Sequence, residues 1–474
     1  VLVDSRGSLW VGVYSAGIAR RDAPGLPWRR YRRKAADPTS LPNDIVNFIR
    51  EDSEGRIWVG TNDGLARYDA RTDSFATMRP APGKADSLSS EVMYAMAETK
   101  EGSWIGTFRS GLDYLDDATG AFRHFPSVPG DDASLSDNMV TALEFDLSGD
   151  LWVGTNKGLN RLGPEGFTRY LYDPKTPSGI SADSVKTLYR DSKDRLWIGT
   201  FGGGLVRYEP ETDSFVAYGV ADGLPSGTVV RILEDGSGRL WVATQLGLVV
   251  YDVAAGAFRQ LAVHNELRAR EFYSGAYRAP DGSLYFGAMD VLYRFYPERY
   301  EFNSSRPPVV LTAVEVKGRP GALPGAPLLK SLEVGWRQNG FELEFAALDY
   351  RDSEHNLYSW RLEGFDAEWT PPSSRRHASY TNLPGGAYAF RVRASNNDGL
   401  WNEEGLALPI RVKPVPWLHP LAVLAYCVAF LAAGFVLYTR LVAAALKPVR
   451  AERDALKEKL AKTEERNRIA ARGE

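Results

Sequence analysis

Cysteine is almost missing from this 474-residue chain. Cys427 stands alone, which excludes an intramolecular disulfide and a thiolate metal cluster. Histidine is scarce as well: His124, His264, His355, His377 and His419 show no metal-ligand spacing and read as surface or packing residues. Neither sign of charge is in excess, since 57 Lys+Arg against 60 Asp+Glu leave a net charge of −3. Without long basic runs the chain lacks the clustered cations that meet phosphates, so no direct nucleic-acid partner is expected. No G-x-S-x-G elbow occurs. Phe201-Gly-Gly-Gly204 does not open a helix, as a phosphate cradle would. The acidic turns Asp52-Ser-Glu-Gly55 and Asp191-Ser-Lys-Asp194 lack the ligand series of a calcium loop and read as hairpin turns. No catalytic residue, metal or cofactor is expected within the chain. It has no initiator Met and opens in the middle of a repeat, so it is expected to be a fragment.

Aromatics are plentiful, at 12%, beside 45 Gly and 28 Pro, a composition that fits a turn-rich β protein. One pattern recurs over the first 300 residues: DSRGSLWVGVYSAGIAR from Asp4, DSEGRIWVGTNDGLARYD from Asp52 and KEGSWIGTFRSGLDYLD from Lys100. It continues as LSGDLWVGTNKGLNRL from Leu147, DSKDRLWIGTFGGGLVRYE from Asp191, GSGRLWVATQLGLVVYD from Gly236 and a worn PDGSLYFGAMDVLYRFYP from Pro280. The structural anchors Trp10, Trp58, Trp104, Trp152, Trp197, Trp241 and Tyr285 lie 44 to 48 residues apart. Each period holds four short alternating apolar runs, in the second copy IVNFIRED, RIWVGT, GLARYD and SFATMR. Four strands per ~45 residues is the arithmetic of a propeller blade, and seven blades close a ring.

These residues resemble the two-component regulator propeller repeat, with a signature close to D-x-x-G-x-[LI]-W-[VI]-G-T-x-x-G-[LI]-x-R-[YF]. The resemblance implies the periplasmic part of a sensor histidine kinase, in which two such propellers are usual, so a second is expected upstream. Beyond the bend Arg306-Pro307-Pro308, the stretch LYSWRLEGFDAEWTPPSSRRHASYTNLPGGAYAFRVRASNNDGLWN is similar to the triple-tyrosine (YYY) domain that follows these propellers. Trp360 and Gly385 stand where that family more often has Tyr and Pro. About seven alternating strands here already point to an immunoglobulin-like sandwich. Tyr380 and Tyr388 are expected to pack a core and satisfy a hydroxyl rather than touch ligand.

Between Lys413 and Arg440 there is no charged side chain. Residues 418–439 are long enough to cross a bilayer as a helix, with Trp417 and Tyr438 at the ends; a buried soluble helix is the alternative. Arg440, Lys447, Arg450, Arg453, Lys457, Lys459 and Lys462 follow the span, against Arg411 and Lys413 before it. The positive-inside rule then places the C-terminus in the cytoplasm and the propeller outside the inner (plasma) membrane. Leu446, Val449, Leu456, Leu460 and Thr463 approach heptad spacing, interrupted by Arg453, which points to a parallel coiled coil or else a solvated single helix. Glu465-Arg-Asn-Arg-Ile-Ala470 resembles the opening of a histidine kinase dimerisation helix. No His follows His419, so the phosphoacceptor is expected outside this stretch.

The expected fold is mainly β: a seven-bladed β-propeller (1–302), an immunoglobulin-like β-sandwich (306–413), one transmembrane helix (418–439) and a cytoplasmic coiled-coil helix (440–474). Candidate ligand-binding residues are those of the varied loops on one propeller face, where recognition usually sits. Loops entering the innermost strands offer Asn43, Asp44, Glu91, Asn138, Asp183, Thr228, Arg270 and Glu271. Loops between second and third strands offer Tyr14, Asn62, Phe108, Arg109, Asn156, Lys157, Phe201, Gln245 and Met289. Aromatics beside amides and charges suit a sugar, whose ring stacks while its hydroxyls bond; alternatively each side chain merely finishes a solvated loop. By the resemblance, the chain is the ligand-sensing and signalling region of a sensor histidine kinase, a homodimer through sandwich and coiled coil, sensing an oligosaccharide or other periplasmic ligand. A response regulator, ATP and Mg would be used only by the kinase core, which lies outside the chain. The alternatives are the same exterior feeding a diguanylate cyclase or transcription regulator, or a membrane-tethered carbohydrate-binding propeller.

Overall fold

Six of the seven repeat copies fold as four-stranded antiparallel sheets in which each strand pairs with the next in sequence. The computed structural model describes residues 1–261, 272–318, 325–338, 340–418 and 420–470. They form two units: Val1–Pro307 with Asp349–Leu357 and Ser395–Trp401, and Pro308–Leu348 with Tyr358–Ala394 and Asn402–Glu474. Blades 1 to 7 of the first unit span 2–31, 46–78, 93–125, 140–170, 185–218, 229–260 and 272–295.

Each letter of the repeat has a physical task. The Asp closes the turn between the first two strands and clamps the anchor Trp of the second. Asp191 Oδ1 accepts the backbone N–H groups of Lys193 (2.9 Å) and Arg195 (3.0 Å), while Oδ2 accepts Arg195 Nε (2.6 Å) and Trp197 Nε1 (2.8 Å). The same indole-to-carboxylate bond joins Trp10 to Asp4, Trp58 to Asp52, Trp152 to Asp146 and Trp241 to Asp235, at 2.7 to 2.9 Å. All five indoles are buried between sheets, where an unpaired N–H would be costly. The Gly after the Trp pair is the point of closest approach between blades. A Cβ at Gly154 would lie 2.6 Å from Val185 Cγ1 in the next blade, and one at Gly106 would lie 2.6 Å from Val140 Cγ1. The following Thr pins the next loop, as when Thr155 Oγ1 donates to the Gly158 carbonyl (2.7 Å). Gly158, at φ +122°, in turn donates its N–H to the Asp183 carbonyl of the neighbouring blade (2.7 Å).

Blade 7 departs from the expected four strands. It shows three among the described residues. After Phe295 the chain turns at Pro297–Arg299, where proline cannot donate to a ladder, and Tyr300 and Phe302 pack instead against the Trp241 cluster. The ring nevertheless closes: Tyr277 of blade 7 donates its hydroxyl to the Val3 carbonyl of blade 1 (2.9 Å). Leu9, Ala279 and Tyr285 form the cluster at that seam.

The second unit is a β-sandwich. Val309–Val316, Phe341–Ala347 and His377–Tyr380 form one sheet; Leu332–Val334, Trp401–Val412, Gly386–Ser395 and Tyr358–Glu363 form the other. Alternating residues of both sheets meet in a core built on Phe345, Tyr358, Trp360 and Phe390. A short turn, Pro416–Leu418, leads into one helix, Pro420–Ala470, of 51 residues. At 1.5 Å per residue this is about 77 Å of rod. Its first part is apolar on all faces and none of the best span window is buried. Such a surface fits a membrane span by length and composition. The helix starts two residues later than the span read from sequence, and His419 falls outside the described residues. Pro448 lies inside it, leaving the Ala444 carbonyl without its helical donor.

Candidate functional site

The innermost strands of blades 2 to 6 share an irregularity. Pairing with the second strand slips by one residue between Val46 and Phe48, Val140 and Ala142, Val185 and Thr187, and Val229 and Arg231. In blade 3 the slip falls opposite Gly106 and Thr107, around Tyr94. Each is a β-bulge, which adds a residue and re-aims its side chain. The bulged residues are Asn47, Tyr94, Thr141, Lys186 and Val230, one per blade and all different. They come together around the propeller axis as the lining of a cavity of ≈ 490 Å³, completed by Arg231, Met139, Gln245, Leu246, Phe272 and Tyr273. That volume is within the usual range for small-molecule sites.

Several of these groups also stitch the ring. Asn47 Nδ2 donates to Asn62 Oδ1 (2.9 Å) and to the Met93 carbonyl of the next blade (2.9 Å). Thr141 Oγ1 lies 3.0 Å from the Gly154 carbonyl and 2.7 Å from that of Val185. Arg231 donates to the Lys186 carbonyl (3.2 Å). Tyr94 stands edge-on to Phe108, with ring centroids 5.6 Å apart. Lys186 Nζ sits 5.3 Å from the Phe201 ring centroid, a cation–π distance. Burial lowers the pKa of the Lys186 ammonium. Burial, with the Arg50 charge nearby, brings the Arg231 guanidinium down to about 10, still protonated at neutral pH. Arg50, crowded by protein yet reached by channel solvent, is lowered by that crowding and raised by Glu144. Glu144 is raised by burial against the pull of Arg50. Groups from blades 2, 4 and 6 can sense one another only through the channel.

The residues expected from sequence divide sharply. Gln245 lines the cavity; Asn62, Phe108 and Phe201 touch residues that do. Tyr14 and Met289 are exposed, at 83% and 73%. Arg109 covers the Phe108 ring at 4.8 Å, Asn156 accepts the Ser184 hydroxyl at 3.0 Å, and Lys157 lies 3.8 Å from Asp137. The inner-loop set mostly holds backbone. Asn43 accepts the Ile45 N–H, Asp44 that of Arg33, Asn138 that of Ser127 and Asp183 that of Tyr172. The Glu91 carbonyl accepts the Gly64 N–H, and that of Thr228, a buried residue, accepts the Gln245 N–H. Arg270 and Glu271 lie outside the described residues. Sequence reasoning missed the bulge positions. Their signal was one varied residue, Asn, Tyr, Thr, Lys or Val, directly after the first apolar residue of an otherwise constant inner run.

A scan of family models matches "Two component regulator propeller" at residues 40–63, 179–202 and 223–245, in blades 2, 5 and 6 and the loops before them, and "Y_Y_Y domain" at residues 349–413. In these stretches the chain is similar to a two-component regulator propeller and to a Y_Y_Y domain. The chain is 26% identical over 297 residues to Histidine kinase P4 of Formosa agariphila, covering 59% of itself and 21% of that protein. Among solved structures it is similar to the extracellular domain of BT3049 from B. thetaiotaomicron, described as a hybrid two component system: 26% identity, TM-score 0.67, 87% of this chain and 55% of that one. The fold is shared with the extracellular domain of BT4673 from the same organism, at 24% identity and TM-score 0.52, over 87% of this chain and 56% of that one. The chain thus spans about a fifth of its curated relative and little more than half of these neighbours.

In the Y_Y_Y domain the tyrosines are structural, as expected. The Tyr380 hydroxyl donates to Asp366 Oδ2 (2.7 Å), and that of Tyr388 to the Pro384 carbonyl four residues upstream (2.9 Å), the bond of a tyrosine corner. Tyr358 is buried and its hydroxyl accepts the Ala347 N–H (3.1 Å). Burial and the Asp366 contact raise the Tyr380 phenol far above its ordinary value. Between this Y_Y_Y domain and the helix, Trp417 packs edge-on against Trp336 at 4.7 Å, and the Lys413 N–H donates to the Val334 carbonyl (2.9 Å).

Proposed function

We propose that the chain is the extracytoplasmic sensor, membrane anchor and first signalling helix of a two-component sensor histidine kinase. A ligand, in this reading an oligosaccharide, enters the propeller channel. One observation carries the reading: the apolar helix runs without interruption into a charged stretch with heptad-spaced Leu446, Val449, Leu456, Leu460 and Thr463. A rod that crosses the lipid and continues beyond it can pass a displacement to an output domain. The histidine kinase named among its relatives supports that output.

Seven cations follow the span against two before it, so the C-terminus faces the cytoplasm and the propeller the periplasm, across the inner membrane. Two identical helices emerging side by side pair in parallel, making the receptor a homodimer. ATP, Mg and a response regulator belong to the kinase core. For a ligand to switch this assembly it must bind two arrangements with different affinity. The test replaces Cys427 by Ala and introduces single cysteines in turn at Leu446, Val449, Leu456 and Leu460, in membranes. Disulfide crosslinking at these positions should change in rate when a saccharide known to bind the propeller is added. Absence of crosslinking at all four positions, or an identical profile with bound saccharide, rejects the transmission step.

A further inference from the structure

One end of the sandwich is tied to the start of the helix. Leu332–Val334 pairs in parallel with the last residues of the strand Trp401–Val412, Leu332 opposite Ile410 and Val334 opposite Val412. The turn Trp336–Gln338 therefore leaves its sheet at the same end as Lys413 and the Pro416–Leu418 turn into the helix. Two further turns gather there. A Cβ at Gly385 would lie 2.5 Å from Pro414 Cα, and the Lys317 N–H donates to the Gly340 carbonyl (2.9 Å). Trp417 stands just before the first helical residue, Pro420, and a chain reaches at most about 11 Å over that separation. Where the helix enters lipid, Trp417 is therefore at the headgroup layer. Trp336 goes with it, since the two rings meet edge-on at 4.7 Å.

These indoles are unlike the propeller anchors. Five propeller indoles are buried and each donates to a carboxylate. Trp336 is only half-buried and Trp417 is 50% exposed, and among the described residues neither indole N–H meets a protein acceptor. Arg337 covers the Trp336 ring, its guanidinium 4.7 Å from the centroid. Lys317 and Arg337 are both exposed. Among the described residues neither is held by a carboxylate, and Glu333 at this end is already taken by Lys413 (3.4 Å). Two adjoining indoles open to water leave a large apolar surface wet. The headgroup layer of a bilayer offers each group a partner: an apolar medium for the rings, ester and phosphate oxygens for the N–H groups, and phosphates for the cations.

We propose that the turn Trp336–Gln338 is a second membrane contact of the chain, with Trp336, Arg337, Lys317 and Trp417 seated in the phospholipid headgroups of the bilayer that the helix crosses. This rests on the membrane-anchor part of the reading above and adds a surface of the sandwich that lipid covers. The test uses the full chain carrying Cys427→Ala in nanodiscs of phosphatidylcholine and phosphatidylglycerol, with one nitroxide at a time on Gln338→Cys, Leu424→Cys or Glu404→Cys. Leu424 lies in the span. Glu404 lies towards the other end of the strand Trp401–Val412, about 27 Å along it from Val412. Oxygen favours lipid and a nickel chelate favours water, so the ratio of their relaxation effects reports depth. The ratio at 338 should exceed that at 404 about threefold and stay below that at 424, as an interfacial position requires. Trp336→Ser should bring the value at 338 down to that at 404, and Trp336→Tyr should keep it, with unchanged thermal unfolding showing that both variants fold. With 424 in lipid, an aqueous value at 338, or one indifferent to Trp336→Ser, overturns the proposal and leaves the anchor reading standing. An aqueous value at 424 rejects the anchor reading itself, and this surface with it.

Discussion

Two parts of the same blade obey opposite rules. Where the first strand turns into the second, five blades repeat one clamp, with Asp4, Asp52, Asp146, Asp191 and Asp235 each holding an indole at 2.7 to 2.9 Å. One strand nearer the axis, five blades repeat one bulge but fill it with five different side chains. The clamp carboxylate is buried in four of these blades and half-buried at Asp146, and it is spent on the donors of its own hairpin. The bulge is a backbone device that is indifferent to its side chain, so the side chain is released for chemistry. A repeated frame that leaves one position per unit unconstrained can carry an asymmetric site on a near-symmetric ring.

Breaking the clamp should have the largest effect. Asp191→Ala strands the buried Trp197 indole N–H and removes the acceptor of two part-buried turn N–H groups, at a cost on the order of 3 kcal/mol, read as a lower urea midpoint by tryptophan fluorescence. The same carboxylate sets an acid limit. Burial works to raise the pKa of Asp191 but is outweighed by the bonds from Trp197 and Arg195, so it stays lowered; Asp52 behaves alike. A lowered native value contributes stability that is present above the ordinary Asp value near 4. That stability is lost as the pH falls below it towards the native value, and the Asp191→Ala variant should show a shallower loss over that window.

Blade 3 sharpens the comparison. Its turn is one residue shorter, Thr99 stands where five other blades have Asp, and Trp104 packs on Tyr114 and Phe125. Trp197→Phe should therefore destabilise by about 2 kcal/mol more than Trp104→Phe, the worth of a hydrogen bond to a charged group. Equal midpoints for the two variants would mean that ring volume, not the carboxylate, holds the anchor.

The clamp and the bulge were unequally legible. Aromatic spacing exposes blades because every ring must fill the same gap between sheets. The apolar stretch after Lys413 exposes a candidate membrane helix because a helix apolar on all faces must be covered by lipid or by protein, and none of its best span window is buried by protein. The seven sandwich strands follow from alternation in the same way. The clamp was visible only as an acidic turn, since the indole bond joins residues six apart and needs the folded hairpin. The bulge was hidden because a slip of pairing is a relation between two strands, and alternation read along one strand does not contain it. Loop variability drew the expected site outward to residues such as Asp44, Asn138 and Asp183, whose side chains complete the backbone bonding of adjacent loops.

The smallest expected stability effect lies at the bulge itself. Thr141→Val keeps the shape and removes a hydroxyl that shares its proton between the Gly154 and Val185 carbonyls. Both acceptors belong to the strand framework, so the loss should stay near 1 kcal/mol or below, a shift of a few degrees in thermal unfolding at most. The side chain nonetheless faces the cavity, and a methyl in place of the oxygen withdraws one hydrogen-bonding group from any saccharide there. Binding of an oligosaccharide in the channel should then weaken about fivefold while stability barely moves. Asp191→Ala should do the opposite at a temperature where it remains folded: full affinity, lower midpoint. If Thr141→Val instead costs as much stability as the clamp variant and leaves affinity intact, the bulges are part of the frame. The ligand would then be read by the rim loops alone.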